Sequence, residues 1–153
     1  MALYVVQHGQ SLTKGQDLEK GLSPEGKQET ERIAEVAQGY AVAVSRIVHS
    51  GKKRARQTAD IFAAALTPGK GIETQEGMKP LDDVRAFARQ LSLDQNMMLV
   101  GHLPFLEKLI GLLVCNDPNQ TIFKLQNSGI VCLDRVPSID HPVIRWALMP
   151  TIG

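Results

Sequence analysis

Two histidines and an arginine are the residues of this chain best suited to chemistry. Gln7-His8-Gly9 follows directly on the apolar run Leu3-Tyr4-Val5-Val6, and a second apolar run, Met97-Met98-Leu99-Val100, ends in Gly101-His102. Between them, Ser50-Gly51-Lys52-Lys53-Arg54-Ala55-Arg56-Gln57-Thr58 is a basic stretch that opens a helical pattern. A neutral imidazole, with an ordinary pKa of about 6.5, is a good nucleophile near neutral pH. Attack by His8 on phosphorus would split one hard displacement into two easier ones. Gly9 would let the backbone approach the phosphate with no side chain between them. Arg54 sits at a helix start, where free N–H groups and the dipole favour anions, and its guanidinium can hold two phosphoryl oxygens. His102, at the mouth of a strand, could donate to a phosphoryl oxygen as charge develops. Each also has a plainer reading: His8 as a loop histidine bonded to backbone, Arg54 as an exposed charge, His102 as a ring capping a carbonyl. The repeated pairing of histidine with glycine at a strand end tips the balance for His8.

The elements that must position these residues are legible as alternating strands and helices. Residues 3–6, 46–49 and 97–100 read as short buried strands. Residues 13–20 are polar and read as a loop. Ser23 fits an N-cap with Pro24 at the first helical position, and the stripe Ile33, Ala34, Val36, Ala37 predicts a helix over 24–38, with Gly39 at its end. Ala55, Thr58, Ala59, Phe62, Ala63 and Leu66 predict a second helix, closed by Pro68-Gly69. Residues 72–74 read as a short extended piece. Leu81, Val84, Phe87, Ala88 and Leu91 predict a third helix, and Pro104 opens a fourth carrying Leu106, Leu109, Ile110 and Leu113. Residues 130–134 and 143–149 are the last strands, divided by turn-like residues 137–142. This alternation implies an α/β fold with a largely parallel sheet, and in such sheets ligands bind beyond the carboxyl ends of the strands. His8, Ser50 and His102 all follow predicted strands.

The totals narrow the function further. The chain has 153 residues, 43% of them hydrophobic, enough for one domain over 1–153. A net charge of +1 argues against nucleic acid held mainly by charge. Lys52, Lys53 and Arg56 equally read as a solvated helix start, and Arg56 lies about 200° around the helix from Arg54. No apolar stretch reaches the ~18 residues of a membrane span, and the N-terminus lacks a signal-peptide pattern, so the expected location is the cytoplasm. Cys115 and Cys132 have no metal-ligand spacing and are expected to be buried free thiols. A zinc site needs a third ligand beside His8 and His102, and none stands out, so neither a metal nor another cofactor is expected. His49 reads as structural and His141 as a loop residue.

Taken together, the strand ending in His8-Gly9, Leu22-Ser23-x-x-Gly26, Ser50-x3-Arg54-Ala55-x-Gln57-Thr58 and Val100-Gly101-His102 resemble the histidine phosphatase superfamily. The small size and Gly101-His102-Leu103-Pro104 resemble its short branch, the SixA-type phosphohistidine phosphatases. The resemblance implies a three-layer α/β/α sandwich of the phosphoglycerate mutase-like kind with a mostly parallel central sheet. It also implies metal-independent phosphatase activity, with His8 as nucleophile and Arg54 and His102 in the phosphate pocket. The expected substrate is a phosphohistidine-bearing protein, with a small phosphate ester as the alternative. The family motif reads Arg-His-Gly where this chain has Gln7-His8-Gly9. Gln7 can still donate an N–H to a phosphoryl oxygen but brings no charge, which opens a second alternative, a weakly catalytic phosphate-binding module. Gln7, Gly9, Ser11 and Asp83 are the expected substrate contacts. Asp82 or Asp83 could supply a general acid, or could simply cap the helix that follows.

Overall fold

Residue alternation along the strands decides the layering. In the computed structural model, which describes residues 1–152, Ala2, Tyr4 and Val6 face one core with Ile47, Met98 and Val100, while Leu3 and Val5 face another with Val48, Met97 and Leu99. Strand side chains point to opposite faces in turn, so a strand apolar at every position must be covered on both sides. The sheet has six strands in the order β3-β2-β4-β1-β5-β6. They are β1 (Ala2–Gln7), β2 (Arg46–His49), β3 (Ile72–Thr74), β4 (Met97–Gly101), β5 (Ile130–Asp134) and β6 (Val143–Leu148). The pairs β1–β4, β2–β4 and β2–β3 are parallel, while β5 runs antiparallel to β1 and β6 antiparallel to β5.

Helices α1 (Pro24–Gly39) and α2 (Lys53–Leu66) cover the first face through Ile33, Ala34, Ala37, Ala55, Ala59 and Phe62. Helices α3 (Val84–Gln90) and α4 (Phe105–Cys115) cover the second through Val84, Phe87, Phe105, Leu106, Leu109 and Ile110. The fold is the expected three-layer α/β/α sandwich with a mostly parallel sheet, of the phosphoglycerate mutase-like kind. No helix of the described residues is long and apolar enough to cross a membrane.

The starts of α1 and α3 follow local capping chemistry. The Ser23 side chain accepts from the Gly26 N–H, with Pro24 in the first turn. Helix ends follow it less well. Glycine is the usual left-handed residue past a helix end, yet here Ala41 (φ 56°) and Thr67 (φ 45°) take that conformation rather than Gly39 and Gly69. Leu81 does not belong to the third helix: it precedes α3 and is 88% exposed. Asp83 caps α3 with its carboxylate, so the helix starts after it and leaves Leu81 outside the apolar stripe. Cys132 is buried as expected, but Cys115, the last residue of α4, is exposed, because the helix ends as it clears the core.

The strand order positions the site. The chain passes from β1 to β2 across one vacant place, and β4 later fills it. Gln7 pairs with Gly101, and Val100 with His49, so the carboxyl ends of β1, β4 and β2 lie side by side. The residues that follow them, His8, His102 and Ser50, therefore emerge together at a point where the winding direction reverses.

Candidate active site

His8 is held from every side. Its N–H donates to the Gly101 carbonyl at 3.0 Å, and its carbonyl accepts from Asn127 Nδ2 at 2.8 Å. Its ring Nδ1 lies 2.7 Å from the Gly9 carbonyl. A carbonyl only accepts, so Nδ1 carries the proton and Nε2 keeps its lone pair. Burial is the main reason that His8 titrates low, at about 4. The Gly9 bond opposes that shift, and the charges of Arg54 and Lys20 add to it. At neutral pH the ring is uncharged, with a nucleophilic Nε2.

Arg54 comes to that nitrogen from the first turn of α2, with Nε 3.4 Å from His8 Nε2. The turn presents no acidic residue, and its N-cap, Lys52, makes no side-chain cap bond. The first N–H groups of α2 are thus left toward an anion, and the dipole adds to their effect. Arg56 is exposed, on the other side of the helix. The His102 ring lies 5.1 Å from the His8 ring, centroid to centroid. His102 is almost wholly buried, and this, with the charges of His8, Arg54 and Lys52, holds its pKa down to about 3. The three residues expected to do the chemistry are therefore brought together.

Four more residues of the basic stretch have a physical task. The Ser50 hydroxyl lies 2.5 Å from His102 Nε2. Ala55 is fully buried against the sheet. Gln57 Oε1 accepts from the Leu22 N–H at 2.7 Å and so ties α2 to the start of α1. The Thr58 hydroxyl donates to the Arg54 carbonyl at 2.8 Å and accepts from the Gly9 N–H at 2.9 Å. That single oxygen links the His8 loop to the turn bearing Arg54.

The expected substrate contacts fare differently. Gly9 is needed for a reason other than approach to phosphate. Its N–H is already donated to Thr58, and a Cβ there would lie 2.6 Å from Thr30 Oγ1 and 3.1 Å from Leu22 Cδ2. A Cβ on Gly26 would strike the Gln10 carbonyl. The two glycines let the first turn of α1 rest against the His8 loop. Gln7 ends β1 directly before His8, and its Oε1 is buried with no hydrogen-bond partner. An acceptor there opposes an anion, so the amide NH2 is all that Gln7 can offer a phosphoryl oxygen. Ser11 forms a backbone bridge with Leu22, where the loop after β1 closes, and no bond joins its hydroxyl to His8. Asp83 is committed elsewhere: its carboxylate accepts from the Arg85 and Ala86 N–H groups. Asp82 likewise accepts from the Lys79 N–H. Both line a separate groove with Glu76, Lys79, Phe87 and Gln90, which includes none of His8, Arg54 or His102. Free carboxylates before a helix serve its unpaired N–H groups first.

Lys53 is also occupied, 2.8 Å from Asp17 and 3.8 Å from Glu19. Sequence reasoning missed Lys20, whose charge acts on His8 and which ends the polar loop in a left-handed conformation, φ 53°. Nothing local marks Lys20 among the chain's 17 lysines and arginines. Asn127, which fixes the His8 carbonyl, was equally invisible because it lies 119 residues away. Among the described residues, no three His, Cys, Asp or Glu side chains gather as metal ligands.

Known proteins resemble this chain in sequence and in fold. The sequence profile of the histidine phosphatase superfamily (branch 1) matches residues 3–82. An uncharacterised protein of Picosynechococcus sp. is 32% identical over 141 residues, covering 87% of this chain and 84% of that one. The protein histidine phosphatase SixA complexed with tungstate shares the fold with a TM-score of 0.81 at 23% identity, over 98% of this chain and 97% of the other. The phosphoserine phosphatase of Entamoeba histolytica, complexed with 3-phosphoglyceric acid, gives 0.69 at 18% identity, over 95% of each chain. A histidine at the end of β1, an arginine in the first turn of α2 and a histidine at the end of β4, in a chain matched in these ways, identify it as a member of the histidine phosphatase superfamily (branch 1).

Proposed function

We propose that this chain is a metal-independent phosphatase that hydrolyses phosphohistidine on a protein through a phospho-His8 intermediate. The carrying observation is the His8 ring: Nδ1–H is bound to the Gly9 carbonyl, and the Nε2 lone pair lies 3.4 Å from Arg54 Nε. In the first step Nε2 attacks phosphorus, the substrate P–N bond breaks, and the departing imidazole leaves with a proton already on its ring. In the second step water attacks phospho-His8, the P–Nε2 bond breaks, and inorganic phosphate and neutral His8 are released. Arg54, His102 and the N–H groups of α2 hold the phosphoryl oxygens as charge develops.

The choice of phosphohistidine over an alkyl ester rests on the carboxylates. An alkoxide is a poor leaving group and needs an acid beside it. The two candidates, Asp82 and Asp83, are bound to backbone N–H groups in another groove. An imidazole leaving group carries its own proton. The SixA structure that shares this fold is that of a protein histidine phosphatase, which favours the same substrate class.

A second reading, a phosphate-binding module with little turnover, draws on the buried and unpartnered Gln7 Oε1. Incubation with a 32P-labelled phosphohistidine protein and with a labelled alkyl phosphate decides between them. The proposed enzyme gives an acid-labile label on His8, absent in His8→Ala, and releases phosphate from the phosphohistidine protein in preference to the ester. Vanadate binding with neither label nor turnover would overturn it in favour of the binding module. Faster release from the ester would overturn the choice of substrate.

A further inference from the structure

The residue that decides which face His102 shows to the phosphoryl group is Ser50. His102 has two ring nitrogens with different surroundings. Nε2 lies 2.5 Å from Ser50 Oγ, while Nδ1 is shielded from solvent and has no hydrogen-bond partner. Ser50 Oγ has one other partner, the Lys52 N–H, which donates to it at 3.4 Å. Two arrangements of protons fit the distances, and counting donors and acceptors separates them. If His102 Nε2–H donated to Ser50, the serine oxygen would face two donors, its own hydroxyl hydrogen would have no acceptor, and Nδ1 would be a buried acceptor with no donor. Ser50 and His102 are both buried, at 6% and 1% exposure, and an orphaned buried donor is costly. If the Ser50 hydroxyl instead donates to Nε2, the hydroxyl, Nε2 and the Lys52 N–H are all paired, and of these groups only the ring proton, now on Nδ1, lacks a protein partner: one orphan against two.

We infer that Ser50 is a positioning residue: it fixes His102 as the Nδ1–H tautomer, which leaves that N–H as the ring's one free donor for a phosphoryl group bound at His8. The inference rests on the phosphoryl chemistry proposed above and explains two otherwise separate facts. The first is the one unpartnered polar atom on a fully buried histidine beside His8. The second is the serine four residues before Arg54, whose hydroxyl bonds to the His102 ring and not to the backbone of either histidine. Ser50 and Arg54 thus leave the same strand–helix junction to serve different partners: Ser50 orients His102, and Arg54 meets His8. The histidine donates while uncharged, because burial and the neighbouring cations keep it neutral at working pH.

Nitrogen-15 NMR of the histidine-labelled protein tests this directly. In the wild type, His102 should show a protonated Nδ1 and an unprotonated Nε2, and added inorganic phosphate should move the Nδ1–H resonance. A wild type with the proton on Nε2, or an Nδ1–H signal indifferent to phosphate at saturation, overturns the assignment without any variant. Ser50→Ala should mix the two tautomers and lower kcat by roughly 10- to 100-fold, the range for lost orienting partners of a ligating histidine, with KM changed far less. Ser50→Thr, which keeps the hydroxyl, should restore the single tautomer and most of kcat. A folded Ser50→Ala with the wild-type tautomer and rate, or a Ser50→Thr as impaired as the alanine variant, overturns it. A wild type that shows the Nδ1–H tautomer but never labels His8 would defeat the proposed activity and leave the Ser50 assignment standing.

Discussion

Replacing Thr58 with valine removes one oxygen and little volume, and it tests whether the site is built through that atom. Thr58 is fully buried. Its hydroxyl accepts from the Gly9 N–H at 2.9 Å and donates to the Arg54 carbonyl at 2.8 Å. In Thr58→Val the Gly9 N–H loses its acceptor, at a cost of about 1–3 kcal/mol for a buried orphaned donor. The Arg54 carbonyl stays within the helical ladder of α2 and loses less. A chain of this size shifts by about 2–4 °C in Tm for each kcal/mol, so urea or thermal unfolding resolves the effect. Thr58→Ser is the control. It keeps both bonds and gives up one buried methyl, about 0.8 kcal/mol. Activity should separate the pair further. Valine frees the His8 loop from the turn that carries Arg54, and a misplacement of that kind costs up to about 10²-fold in kcat/KM; serine should stay close to wild type. Equal stability and equal activity in the two variants would refute the reasoning, since losing the hydroxyl would then matter no more than losing the methyl.

Further outcomes follow from the same geometry. Gln7→Arg replaces a buried, unpartnered acceptor with a charged donor. At about 1.5–3 kcal/mol for a charge-assisted bond, kcat/KM should rise roughly 10- to 100-fold in a phosphate-release assay; a fall would mean that this pocket is built around the amide. Asp83→Ala should lower stability by about 0.5–2 kcal/mol through loss of the α3 cap, with turnover unchanged. A large loss of turnover would bring Asp83 back as a substrate contact. Burial holds His8 and His102 at about 4 and about 3, below the ordinary 6.5. The unfolded chain then binds protons that the native chain refuses, so stability is full above about pH 6.5 and declines as pH falls toward 4, by at most about 1.4 kcal/mol per pH unit for each ring. Histidine NMR titration and urea unfolding at pH 7 and pH 5 check this. His8 titrating near 6.5, or equal stability at the two pH values, would contradict it.

Much of the site was legible because its parts are local. His8 and His102 each follow an apolar strand, and Ser23-Pro24 announces a helix by capping chemistry alone. Helix ends were harder to place, since Ala41 and Thr67 adopt the left-handed conformation under tertiary packing while the nearby glycines do not. Leu81 has the right spacing for the α3 stripe, but the Asp83 cap starts the helix beyond it. Asp83 itself had two readings, and only its position against the Arg85 and Ala86 N–H groups chose the cap.

The sequence alone determined the layered α/β architecture and singled out His8, Arg54 and His102, which the fold brings together, because periodicity, strand-end glycines and a helix-start arginine are properties of neighbouring residues. The tertiary structure decided the rest. The skipped place in the sheet, filled by β4, brings the ends of β1, β2 and β4 together. Gly9 proved to serve packing, Thr58 proved to join two elements, and the Asn127 side chain reached His8 from the far end of the chain. Such roles depend on which buried donors find acceptors, and that is settled only when segments distant in sequence are packed into contact.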